Sequence, residues 1–175
     1  IQSPASHTYS LTTITDTAAS GTYTQINRYG SQSWSLSPVL YRELKIENDI
    51  QVQLVTTTRL NTAMQTKVTL FYTNGTDSKY IGDTTMSVQG GTYTFTIPVA
   101  NPITIPAGYK IALIVTNLGN ANRWIRVFHN SDPNQSCISL DVSTYIGVDW
   151  IKSYDGNGNT KTVFAPGNTV RIGTQ

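Results

Sequence analysis

Few residues in this chain are of types that could do covalent chemistry. Its two histidines, His7 and His129, lie far apart in sequence, and neither sits in a spacing that brings two imidazoles to one metal. Each reads as a surface or hydrogen-bonding residue. The one cysteine, Cys137, has no basic neighbour in sequence to favour a thiolate. Alternation puts Cys137, Ser139 and Asp141 on the outward side of a strand whose inward side is Ile138, Leu140 and Val142. The two glutamates, Glu43 and Glu47, share a strand face ~13 Å apart at extended rise, too wide for a glycosidase pair. With Lys45 between them they read as a solvated face of alternating charge. There is no Gly-x-Ser-x-Gly elbow and no phosphate-cradling glycine loop. The sequence therefore predicts no catalytic residues, no metal and no cofactor.

Binding has better candidates. Trp34, Trp124 and Trp150, with the many tyrosines, offer flat faces on which sugar rings stack. Trp124 is the strongest, because Arg123-Trp124-Ile125-Arg126-Val127-Phe128 sets arginine beside an aromatic on one strand. Against this, an isolated tryptophan in a sandwich usually fills the core. The run Asp155-Gly156-Asn157-Gly158-Asn159 spaces oxygen donors as a calcium loop begins, but its twelfth position is Pro166, where a bidentate glutamate is required. It fits a hairpin turn instead. Asp132, Asp141 and Asp149 could meet only through the fold. Two glycosylation sequons begin at Asn74 and Asn134, both in turn-like surroundings.

The elements that would carry these residues are strands. Period-two alternation recurs almost throughout, and no stretch keeps apolar residues at helical spacing. The clearest strands are Thr66 to Thr73, Thr92 to Val99 and Tyr109 to Val115. Residues Val39 to Thr58 hold Leu44, Ile46, Ile50, Val52 and Leu54 in phase and read as one bent strand or a hairpin. Further strands are expected near Tyr9 to Ile14, Thr22 to Ile26, Trp34 to Leu36, Lys79 to Ile81, Arg123 to Phe128, Cys137 to Val142, Val148 to Tyr154, Thr160 to Phe164 and Thr169 to Ile172. Asn74-Gly75, Gly90-Gly91, Pro106-Ala107-Gly108 and Gly119-Asn120 supply the turns. The proline-rich Pro98 to Pro106 reads as a crossover loop. Roughly ten or more short strands at this spacing predict an all-β fold: a two-sheet β-sandwich, jelly-roll-like rather than a small immunoglobulin domain.

Composition bounds the setting. With 175 residues the chain suits one domain with its own core. Charged residues are only 13%, and the net charge is +2 with acids and bases scattered, which leaves no footprint for nucleic acid. The longest purely apolar run, Ile111 to Val115, is far short of a bilayer span. No intramolecular disulfide is possible with one cysteine. The opening Ile1-Gln2-Ser3 without methionine suggests that a leader was removed, so a secreted, cell-surface protein is expected.

The amino terminus adds one more possibility. Residues 1–14 are extended in character, neutral and rich in threonine and serine, suited to pairing with a sheet edge, and 15–175 would be the sandwich. In its Thr-rich alternating Tyr9 to Ile14, in strands such as Thr66 to Asn74 and Thr92 to Ile97, and in its low charge, the chain resembles secreted prokaryotic β-sandwich filament subunits of the archaeal thread and bundling-pilus kind. That resemblance implies donor-strand exchange, with Tyr9, Leu11, Thr13 and Ile14 entering a neighbouring copy to build a homopolymer. The leading expectation is thus a self-assembling filament or surface-layer subunit. The alternatives are a carbohydrate-binding or adhesin module that contacts surface glycans through the tryptophans, and a viral jelly-roll coat protein.

Overall fold

The computed structural model describes residues 9–12, 23–36, 39–40, 43–119, 123–128, 136–139, 152–154, 160–162 and 169–174. The strands are β1 (Tyr9–Thr12), β2 (Tyr23–Ile26), β3 (Ser31–Leu36), β4 (Leu44–Ile46), β5 (Ile50–Thr58), β6 (Met64–Thr73), β7 (Ser78–Val88) and β8 (Gly91–Ile97). They continue as β9 (Ile103–Ile105), β10 (Lys110–Asn117), β11 (Ile125–Phe128), β12 (Cys137–Ser139), β13 (Lys152–Tyr154), β14 (Thr160–Thr162) and β15 (Thr169–Thr174). One 3-10 turn, Arg59–Asn61, joins β5 to β6. The protein is an all-β sandwich, as the alternation requires.

Hydrogen bonding runs in the order β2-β11-β5-β12-β15-β1-β3-β10-β6-β7, with β8 on the far side of β5. One layer is β3, β10, β6 and β7, the other β8, β5, β11 and β2. β12, β15 and β1 carry the bonding path between them. Alternate side chains make the core: Ile50, Val52 and Leu54 of β5, Phe95 and Ile97 of β8, and Ile125 and Val127 of β11 join Val68, Leu70, Leu113 and Val115 in one apolar cluster. Across β3, β10 and β6 the register aligns Trp34, Leu113 and Leu70, and that row ends on Gly82 of β7. Gly82 leaves room for the facing layer, because a Cβ there would lie 2.6 Å from Ile97 Cγ2. The register shift opposite Leu70 and Phe71 is the bulge that brings this glycine into line.

Three sequence expectations change. Val39 to Thr58 is neither one strand nor a hairpin: β4 pairs with β9 and β5 with β8, so the turn at 47–49 redirects the chain between sheets. Its apolar phase survives, because Leu44, Ile46, Ile50, Val52 and Leu54 are all buried. The stretch Pro98 to Pro106 is a crossover that carries a strand, β9, whose short pairing lies between its prolines. The short strand expected at Lys79 to Ile81 is the start of β7, eleven residues long.

Candidate functional site

At the edge of the second layer, β11 pairs with β2 in the register Ile125 to Ile26, Arg126 to Gln25, Val127 to Thr24 and Phe128 to Tyr23. Ile26, Thr24, Ile125 and Val127 are buried, so Tyr23, Gln25, Arg126 and Phe128 share the outer face. The guanidinium of Arg126 lies between two rings, 4.3 Å from the Tyr23 centroid and 4.2 Å from that of Trp124. Its Nε donates to Gln25 Oε1 at 3.1 Å, and Tyr23 meets Phe128 edge to face at 5.8 Å. The outcome is a ladder of alternating rings and charge that braces Trp124 from one side.

Beside Trp124 is a cavity of about 290 Å³ lined by Asn27, Arg28, Arg59, Arg123 and Trp124. Three connections build it: the β2–β3 turn, the 3-10 turn after β5, and the segment entering β11. They are tied by backbone and by one side chain. Arg59 N donates to Trp124 O at 3.2 Å. Asn117, fully buried, donates through Nδ2 to both Ile26 O and Arg123 O at 3.2 Å, and its Oδ1 accepts from Gly119 N at 2.9 Å. Its backbone N donates to Gly30 O at 3.0 Å. One amide thus sets the spacing between the walls.

Strain collects in the same loops. Tyr29 and Leu60 hold left-handed backbone at φ of 54° and 58°, and both side chains are exposed, at 61% and 86%. Such conformations cost about 1 kcal/mol or more in non-glycine residues, so the surrounding bonds must enforce them. At Tyr29 the partner is visible: Arg28 packs 4.4 Å over its ring and donates to its hydroxyl at 3.0 Å. That pairing fixes the direction of the Arg28 side chain along the rim.

The sequence candidates divide sharply. Trp124 is half-buried and lines the cavity. Trp34 is 1% exposed and packed in the core, so it offers no stacking face, a correction to the tryptophan platform. Trp150, His7, His129, Asn134 and the loop Asp155 to Asn159 lie outside the described residues, as do Asp132, Asp141 and Asp149. Asn74 is exposed in the β6–β7 turn, where its Oδ1 accepts from Thr76 N at 2.9 Å and Asp77 N at 2.7 Å. Among the described residues no three His, Cys, Asp or Glu side chains come together. Glu47 pairs with Lys45.

Tyr9 and Leu11 of the expected donor strand lie in the chain's own sheet. β1 runs antiparallel to β15 over four residue pairs and parallel to β3 at Ser10 and Leu11. Thr13 and Ile14 fall outside the described residues. Asn27, Arg28 and Arg59 escaped sequence reasoning. Asn27 and Gly30 mark a turn, and Arg59-Leu60-Asn61 breaks an alternating run, but nothing in either links it to Trp124.

No protein-family model matches this sequence, and no curated protein is significantly similar to it. Solved structures do share the fold. An aminopeptidase from a marine sediment Thaumarchaeota archaeon superposes with a TM-score of 0.51 at 12% identity, over 63% of this chain and 25% of that one. A CocE/NonD family hydrolase from Staphylococcus aureus gives 0.54 at 6% identity, over 77% and 36%. This chain therefore spans between a quarter and about a third of those two proteins. TmCBM61 in complex with β-1,4-galactotriose matches at 0.30 and 14% identity, over 65% and 71%. Likeness at such identities concerns the fold alone.

Proposed function

We propose that this chain is a glycan-binding β-sandwich module and that it binds through the Trp124 pocket. The observation that carries this reading is Trp124 itself. Its ring is braced by Arg126 and opens on a cavity whose other described walls are hydrogen-bonding side chains. A sugar ring needs that combination, an aromatic surface for its C–H groups and convergent polar groups for its rim. A secreted, cell-surface setting belongs to the proposal, and no catalytic step is assigned.

Self-assembly by donation of residues 1–14 stands second. It would require β1 to leave β15 and β3 and take the same place in a neighbour. The coat-protein reading has no particular residue behind it.

The test is a glycan array probed with the full chain and with Trp124→Ala. Binding by the parent, weakened about thirtyfold or more in the variant at unchanged melting temperature, is the expected result, on the scale of losing an aromatic anchor. Equal binding by the variant, or no binding by the parent, sinks the reading. So do filaments in negative stain that vanish when residues 1–14 are removed.

A further inference from the structure

The chemistry of the pocket walls goes further than a sugar in general. A neutral sugar's hydroxyls both donate and accept, so a site for one needs acceptors as well as donors. Guanidinium groups only donate. Arg28, Arg59 and Arg123 line this cavity together, and no acidic side chain is among its described lining residues. Four of the wall acceptors already take one donor each. Asn27 Oδ1 accepts from Gln25 Nε2 at 3.1 Å, and Asn27 O from Gly30 N at 2.9 Å. Trp124 O accepts from Arg59 N, and Arg123 O from Asn117 Nδ2.

With Arg126 stacked on Trp124, four of the chain's twelve basic residues gather at one edge of a protein whose net charge is only +2. Concentrated donors and positive charge beside an aromatic ring suit a ligand that only accepts and carries negative charge. We propose that the pocket takes an acidic glycan: a sugar bearing a carboxylate or a sulfate ester, its anion held by Arg28, Arg59 and Arg123 and its ring against Trp124. This rests on the glycan-binding reading and adds the ligand's charge. The cavity is small, so it would hold one charged residue of a longer saccharide.

Calorimetric titration of the full chain tests it with three oligosaccharides of equal length: an oligogalacturonate, a sulfated galactan fragment and a neutral galactan fragment. Sodium sulfate and sodium acetate are titrated alone. The expected result is at least about tenfold tighter binding of one or both acidic ligands than of the neutral one, weakening as salt is raised. Whichever acidic ligand binds tighter identifies carboxylate or sulfate as the recognised group. Arg123→Gln and Arg59→Gln, each checked by thermal melting, should abolish the acidic preference, and a preference that survives both substitutions overturns the charge inference. If the neutral fragment binds as tightly as the acidic ones, the charge inference fails and the glycan reading stands. If the simple anions bind as tightly as the saccharides, or no ligand binds, both fall.

Discussion

Arg126 shows how much one side chain organises here. A lysine would keep its charge but lose the planar fork that stacks on Tyr23 and Trp124 while bonding Gln25. Arg126→Lys should therefore weaken glycan binding about three- to tenfold while costing less than about 1 kcal/mol of stability, the scale of an exposed cation–π contact. Titration beside a urea melt measures both, and wild-type affinity in the lysine variant would mean that the stack does not position Trp124. On the opposite layer, Asp83 Oδ2 accepts from Tyr80 at 2.8 Å and lies 3.0 Å from Lys67 Nζ. The hydrogen bond from Tyr80, then that from Lys67, holds the Asp83 carboxyl below its ordinary range, and the same bond to Asp83 raises the Tyr80 phenol. Asp83 thus stabilises the fold fully above the ordinary carboxylate range and loses that contribution as pH falls through its lowered value. Tyr80 contributes fully below the ordinary phenol range and loses its share as pH rises beyond it. Melting temperature against pH should show a neutral plateau whose acid limb flattens in Asp83→Asn. Solvent reaches the pair, so a Lys67–Asp83 double-mutant cycle should give only about 0.2–1 kcal/mol.

Between elements, the joints decide the fold's cost. Asn117 ends β10 and ties the β2–β3 turn to the β10–β11 connection, so Asn117→Ala strips buried partners from Ile26 O, Arg123 O and Gly119 N. A loss of about 2–3 kcal/mol is expected in urea melts. Asn117→Asp should be no better, because it keeps the size but sets a carboxylate against two carbonyl oxygens. Recovery by aspartate would show that the site needs volume rather than donors. Gly82→Ala should cost about 1–3 kcal/mol by forcing the layers apart at Ile97. In an Ile97→Ala background the added cost should shrink. These joints also mark what the sequence could convey. Strands such as β6, β8 and β10 were legible because their burial alternates within a few residues, and Trp124 stood out beside Arg123 and Arg126. The two-sheet role of the Val39 to Thr58 stretch was not, because pairing partners such as β9 lie far along the chain. The pocket was illegible for the same reason: Asn27, Arg59 and Arg123 are each ordinary loop residues until Asn117 ties the β2–β3 turn to Arg123 and the Arg59 backbone bonds Trp124. That Trp34 is core was not legible from its neighbours in sequence; its register with Leu113 and Leu70 places it there.

For the molecule as a whole, the decisive element is β1, which bridges the two layers. It forms the link between β15, the last strand in sequence, and β3, so the sandwich depends on joining the two ends of the chain. Removing residues 1–14 leaves β15 and β3 with unpaired ladders and should cost at least about 3 kcal/mol, from several lost backbone bonds of about 0.5–1.5 kcal/mol each. For a chain of this size that lowers the melting temperature by roughly 10 °C. A synthetic peptide of residues 1–14 added in trans should restore much of the loss. The same peptide with Leu11→Pro should not, since proline removes a ladder donor and is tolerated only at sheet edges. Rescue by the peptide would also show that the slot accepts a strand from outside, the physical requirement for exchange between copies. If the shortened chain instead melts as the full one does, β1 contributes little to its own sandwich. Residues 1–14 would then be available to a neighbour, and assembly would overtake glycan binding as the better account of this protein.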